Sequence, residues 1–121
     1  ASPEDAFLAH SISSGGHAVI EKLFVGQPRE MTTVYYLDQG RLRMDHYCSL
    51  GNQPRMVATP SDDNEISFRL LSVDNMPNKN DLYISSHAIE FSGPEEITAH
   101  WGATQNKKKS SGSMYRVKLL K

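Results

Sequence analysis

Along nearly the whole chain, apolar and polar side chains alternate in short runs, and glycine, proline, asparagine or aspartate stops most of them. A repeat of two is that of a pleated strand, whose successive side chains point to opposite faces. Runs of this kind occupy residues 6–13, 17–25, 31–37, 41–50, 55–59, 65–73, 82–91, 97–104 and 113–120. No apolar stripe with the 3.6-residue helical period lies between them. Nine short strands at spacings of roughly 8–12 residues imply an all-β domain, either a sandwich or a barrel. Short connections favour pairing between neighbours in the chain, hence an antiparallel up-and-down meander that is closed or partly open. Closure removes the exposed edges that such a chain otherwise presents.

With 121 residues, the chain holds one core, so residues 1–121 are read as a single barrel-like domain. Hydrophobic residues make up only 38%, which predicts a thin or partly polar interior. A formal net charge of -1 argues against electrostatic capture of nucleic acid. The dense basic run, Lys107-Lys108-Lys109, leads into Ser110-Ser111-Gly112 and reads as a solvated loop tip. No stretch is apolar enough for a membrane-spanning helix. The single cysteine, Cys48, rules out an intramolecular disulfide and a thiolate zinc cluster. The compartment stays open, since the chain starts at Ala1 without Met and a processed leader is compatible with that start.

Alternation also assigns faces. Leu42, Met44, His46, Cys48 and Leu50 share one face, opposite Arg41, Arg43, Asp45, Tyr47 and Ser49. The charges put the second set outside, so His46 and Cys48 should project inward, about 7 Å apart along the strand. Tyr83, Ser85, His87, Ile89 and Phe91 form a further inner set. Ile97, Ala99 and Trp101 form another, which leaves Thr98 and His100 outside, and Tyr115, Val117 and Leu119 complete the interior. If Val19, Glu21, Leu23 and Val25 face inward, Glu21 is a buried carboxylate that needs a partner, either Arg55 or a histidine. Asp38-Gln39-Gly40 reads as a three-residue hairpin loop with Gly40 in the left-handed position. Gly51-Asn52-Gln53-Pro54-Arg55-Met56 reads as a turn in which Asn52 and Gln53 either tie down backbone groups or, with Arg55, stand at the rim of the interior beside His46 and Cys48.

Three chemistries suit His46, Cys48, His87 and Glu21. They are buried, hydrogen-bonded residues of a polar interior, as buried His and Cys often are. Alternatively, they line a cavity for a small apolar or amphipathic ligand, with Met44, Phe68, Trp101 and Tyr115 as walls and His46, His87 and Arg55 orienting a polar group. A metal or haem variant of that cavity lacks a third ligand, so no cofactor is assigned. The third is a thiol-dependent hydrolase or redox enzyme using Cys48 with His46 or His87. The sequence has no glycine-rich oxyanion motif and no known nucleophile signature to go with it.

The runs Glu30-Met31-Thr32-Thr33-Val34-Tyr35-Tyr36-Leu37-Asp38 and His46-Tyr47-Cys48, with Gly51-Asn52-Gln53-Pro54-Arg55-Met56, Gly16 to Phe24 and His100-Trp101, resemble a family of small, uncharacterised bacterial proteins. The specific part covers about a third of the chain, with weaker similarity to the carboxyl end. The resemblance implies a calycin-like, lipocalin-like β-barrel and a site beside His46 and Cys48, without an activity or substrate. Members carry a further amino-terminal stretch with tryptophan and glycine before the segment matching residues 6–13. Lacking it, this barrel is expected to stay open at one edge, where a second copy can pair to form a homodimer.

Overall fold

The computed structural model describes the backbone of residues 8–59, 64–93 and 96–118. Nine strands form one antiparallel sheet in chain order: β1 Leu8–Ser13, β2 Ala18–Leu23, β3 Met31–Asp38, β4 Arg41–Tyr47, β5 Gln53–Thr59, β6 Glu65–Asp74, β7 Tyr83–Gly93, β8 Glu96–Gln105 and β9 Lys108–Lys118. The expected all-β meander is therefore present. Among the described residues, β1 and β9 each have one strand neighbour, so hydrogen bonds do not close the sheet. It forms a partly open barrel, and among the described residues the one helical element is a 3₁₀ turn at Ser14–Gly16.

Turn chemistry sets the registers. Asp38 pairs with Arg41, so the β3–β4 loop is Gln39-Gly40, two residues rather than three. Both have positive φ, 52° and 81°, the backbone that matches the right-handed twist of flanking strands. The β8–β9 hairpin repeats this device: Gln105 pairs with Lys108 around Asn106 and Lys107, at φ 52° and 64°. The lysine run is thus only in part a loop tip. Lys108 and Lys109 open β9, five residues before the strand expected there, and remain exposed. An edge strand tolerates this because solvated lysines discourage further strand addition.

β4 ends earlier than alternation suggests. Gly51 N–H donates to the Cys48 carbonyl at 2.9 Å and Cys48 N–H to the Asn52 carbonyl at 3.1 Å. The chain therefore turns at Cys48, and Leu50 lies exposed in the turn. Gly51, with φ 97°, takes the conformation this reversal needs.

Leu23, Phe24, Met44, Met56, Phe68, Ala99 and Trp101 make the core, flanked by Met31, Tyr35, Leu42, Ala58, Ile66, Leu70, Ile84 and Ile89. The ambiguity in β2 is resolved: Glu21 and Leu23 are 5% and 2% exposed, whereas Lys22 is on the open side. Val19 and Val25, expected inside with them, are instead exposed. Toward the β1 side the inner face is uncovered, leaving Ile12 at 76% and Leu37 at 71% exposure. Phe91, also expected inside, is half-exposed near the end of β7. Contacts from β3 to β7 and from β4 to β8 show that the sheet curls until its middle and late strands face one another.

Candidate functional site

Where the sheet curls over itself, polar side chains collect inside the apolar core. β4 delivers His46, 1% exposed, and hairpin register places Thr33 of β3 directly opposite it. Thr33 Oγ1 and His46 Nδ1 are 2.8 Å apart. The next inward position on β3 is Tyr35, which faces Met44 in the register. Its hydroxyl lies 3.0 Å from His87 Nε2, across the barrel on β7.

The tautomer of His87 follows from its other partner. Nδ1 is 3.2 Å from the carbonyl oxygen of His100, which can only accept, so Nδ1 carries the hydrogen. Burial lowers the His87 pKa from 6.5 to about 3, despite the opposing pull of that carbonyl. Neutral His87 therefore accepts at Nε2, and the Tyr35 hydroxyl donates to it. A phenol has one hydrogen, so the longer approach of Tyr35 to Glu21 Oε1, 3.5 Å, is secondary. Burial first, and then the negative charge of Glu21, hold the Tyr35 pKa well above its ordinary value, which keeps the phenol a donor.

Aromatic rings frame the cluster. His87 stacks on Trp101 at 3.7 Å between centroids and on Phe68 at 5.2 Å. His46 also meets Trp101, at 5.0 Å between centroids and 42°. Burial lowers the His46 pKa to about 4, so this imidazole too is neutral at physiological pH. Two atoms of this cluster are left over, as are Arg43 Nε and Asn52 Oδ1 elsewhere in the fold. His46 Nε2 and Trp101 Nε1 are fully buried and have no hydrogen-bond partner among the described residues. Burying such a group without a partner costs about 1–3 kcal/mol.

His46, His87, Glu21 and Trp101 are all buried in this interior, with Met44 and Phe68 beside them. The remaining expected residues sit elsewhere. Arg55 does not enter the interior: it pairs in register with Asp45 on the outer face. There its guanidinium binds Asp45 Oδ2 at 2.8 Å and Asp74 Oδ2 at 2.6 Å. Asp45, though outward-facing, is only 8% exposed because Arg55 covers it and the Tyr36 hydroxyl donates to it at 3.2 Å. Arg55 is accordingly not the partner of Glu21.

Asn52 is not at a rim. It is 4% exposed and donates to the Leu82 carbonyl at 3.1 Å, tying the β4–β5 turn to the start of β7. Gln53 is spent locally, donating to the Gly51 carbonyl at 3.1 Å. Cys48 lies beyond the end of β4, half-buried, with its sulfur 3.9 Å from the Met31 thioether. Tyr115 pairs in register with Ala99, but its side chain falls outside the described residues. His100 lies on the outer face as expected, 3.5 Å from Glu90.

Thr33 and Tyr35 were not anticipated as members of the cluster. The signal was available: once His46 and Met44 are placed inside, a hairpin closed around Gly40 puts Thr33 and Tyr35 opposite them. Among the described residues no three His, Cys, Asp or Glu side chains gather as a metal-binding group. No helix among them is long and apolar enough to cross a membrane. No family model, curated protein or solved structure matches this chain, so its function rests on the site alone.

Proposed function

We propose that this chain is a lipocalin-like binder of a small amphipathic ligand, held in the barrel interior between β4 and β8. The observation that carries the proposal is the pair of buried, unpartnered polar atoms, His46 Nε2 and Trp101 Nε1, on rings that adjoin one another within an apolar core. Interiors rarely keep such groups without a role, because each costs free energy until something hydrogen-bonds to it. A ligand with one polar end and an apolar body satisfies those atoms and fills against Met44, Met56 and Phe68.

The cluster supports binding rather than catalysis. The sulfur contact of Cys48 is a thioether, which cannot accept its proton as a general base. Both buried histidines are occupied on at least one nitrogen by Thr33, Tyr35 or a backbone carbonyl. A thiol enzyme requires Cys48 to alkylate with iodoacetamide much faster than a free cysteine near neutral pH; the binding reading expects no such enhancement.

Native mass spectrometry of the freshly purified chain tests the proposal directly. A co-purifying small molecule that dissociates from wild type and is lost in His46→Phe supports it. A chain that carries nothing, and whose tryptophan emission is unmoved by amphipathic probes, refutes it. The same spectrum reads the assembly state. The edge of β1, which carries exposed Ile12 and has no second strand neighbour among the described residues, is where a second copy would add its own strand to make a homodimer.

A further inference from the structure

Resting on the binding proposal, the charge state of the interior narrows what kind of polar end it accepts. The described inner face carries no lysine or arginine. Lys22, Arg41 and Arg69 point to solvent, Arg29 is exposed with its guanidinium over the Phe24 ring at 3.8 Å, Arg43 lies beside Asp38, and Arg55 is committed to Asp45 and Asp74 outside. The buried bases that remain, His46 and His87, are held neutral. An anion entering here meets no counter-charge, and it meets the charge of Glu21, which is felt at Tyr35. Removing a carboxylate from water into such a place is strongly unfavourable.

Glu21 draws a cation, but the open indole Nε1–H of Trp101 can only donate and gives an ammonium group no acceptor. Aromatic faces bind ammonium groups when they are open to them. Here the His87 ring is sandwiched between Trp101 at 3.7 Å and Phe68 at 5.2 Å, so these faces are covered by one another. The Tyr35 hydroxyl stands between Glu21 and His87, approaching both.

What remains open is a donor, Trp101 Nε1–H, on a ring whose centroid is 5.0 Å from that of His46, whose Nε2 is likewise unpartnered. The indole nitrogen can only donate. The imidazole nitrogen donates or accepts according to which way the Thr33 hydroxyl turns toward Nδ1. A hydroxyl group complements both arrangements, since it accepts from the indole and either donates to or accepts from the imidazole. A carbonyl complements the arrangement in which both nitrogens donate.

We infer that the ligand's polar end is an uncharged oxygen, a hydroxyl or carbonyl, seated between His46 Nε2 and Trp101 Nε1, and that this interior discriminates against carboxylates and ammonium groups alike.

Four shape-matched probes test this on the wild-type chain: cyclohexylmethanol, cyclohexanecarboxylate, cyclohexylmethylammonium and methylcyclohexane. Each is titrated at neutral pH and read by the emission of Trp101, the chain's only tryptophan. The alcohol should bind about tenfold more tightly than either ion, and about fivefold more tightly than the hydrocarbon, the worth of one net neutral hydrogen bond. Either ion binding as tightly as the alcohol overturns the inference and leaves the binding proposal standing. So does equal binding of the hydrocarbon, which would show that the two nitrogens are not engaged. If none of the four binds, the binding proposal falls as well. In His46→Leu, with folding checked by circular dichroism, the alcohol should drop to the level of the hydrocarbon; an unchanged preference places the polar end elsewhere. Should that variant fail to fold, the wild-type ranking decides the matter.

Discussion

Mild acid should unfold this protein, and two residues should account for most of the pH dependence above the carboxylate range. In the unfolded chain an imidazole protonates near 6.5, whereas burial holds His46 at about 4 and His87 at about 3. Above pH 6.5 both states carry neutral rings, and stability is intact. As pH falls below 6.5 the unfolded chain takes up two protons that the folded one refuses, so stability declines with falling pH. The His46 share of the loss is complete near pH 4 and the His87 share near pH 3. Each refused proton is worth about 1.4 kcal/mol per pH unit, which gives a loss of about 3 kcal/mol from His46 and about 5 from His87. Both side chains are shielded from solvent, so no screening discount applies. Set against the roughly 5–15 kcal/mol typical of a domain, that is enough to unfold much of the population between about pH 4 and 5. Urea titrations read by Trp101 emission at steps from pH 7 to 5 should give a limiting slope of about 2–3 kcal/mol per pH unit. In His87→Phe the slope should be about half of that, whatever the variant's absolute stability, because only His46 then resists protonation. A flat profile between pH 6.5 and 5, or an unchanged slope in the variant, would refute the burial argument.

Tyr35→Phe removes the hydrogen that His87 Nε2 accepts and should cost about 1–3 kcal/mol in urea unfolding; a neutral result would mean the 3.0 Å contact contributes nothing. Arg55→Met strips the cover from buried Asp45 and should destabilise by about 1–2 kcal/mol, whereas Asp74→Asn, which breaks only the exposed arm, should cost under about 1; the reverse order would contradict the outer-face assignment. Gln39→Asn puts a residue tolerant of positive φ where φ is 52° and should raise stability by about 0.5–1 kcal/mol in thermal melts.

The strand series was legible because alternation and turn residues are local properties, and a meander asks nothing else of its topology. The errors fell where a local pattern continues past a physical boundary. Cys48 and Leu50 keep the parity of Leu42, Met44 and His46, but the hydrogen bonds that turn the chain at Gly51 belong to the backbone and leave no mark on hydrophobicity. Lys108 and Lys109 look like a loop because exposed edge strands and loops draw on the same polar residues. Parity also placed Asp45 on the outer face but could not show that Arg55 buries it there. That depends on the β4–β5 register, which is set by where the backbone hydrogen bonds among Cys48, Gly51 and Asn52 reverse the chain. Of the interior cluster, His46, His87, Glu21 and Trp101 were readable one strand at a time. Their meeting was not, because nothing in a single strand encodes how far a sheet curls.

Every strand pairing joins neighbours in the chain, so each hairpin can assemble from nearby residues with little loop-closure cost. The bond between Tyr35 and His87, by contrast, spans 52 positions and links strands that share no ladder. An extended ribbon can therefore zip up from its hairpins before the interior exists, and what rolls it into a vessel is the same handful of side chains that would greet a guest molecule. If the proposed binding holds, shape and recognition should arise, and dissolve, as one event.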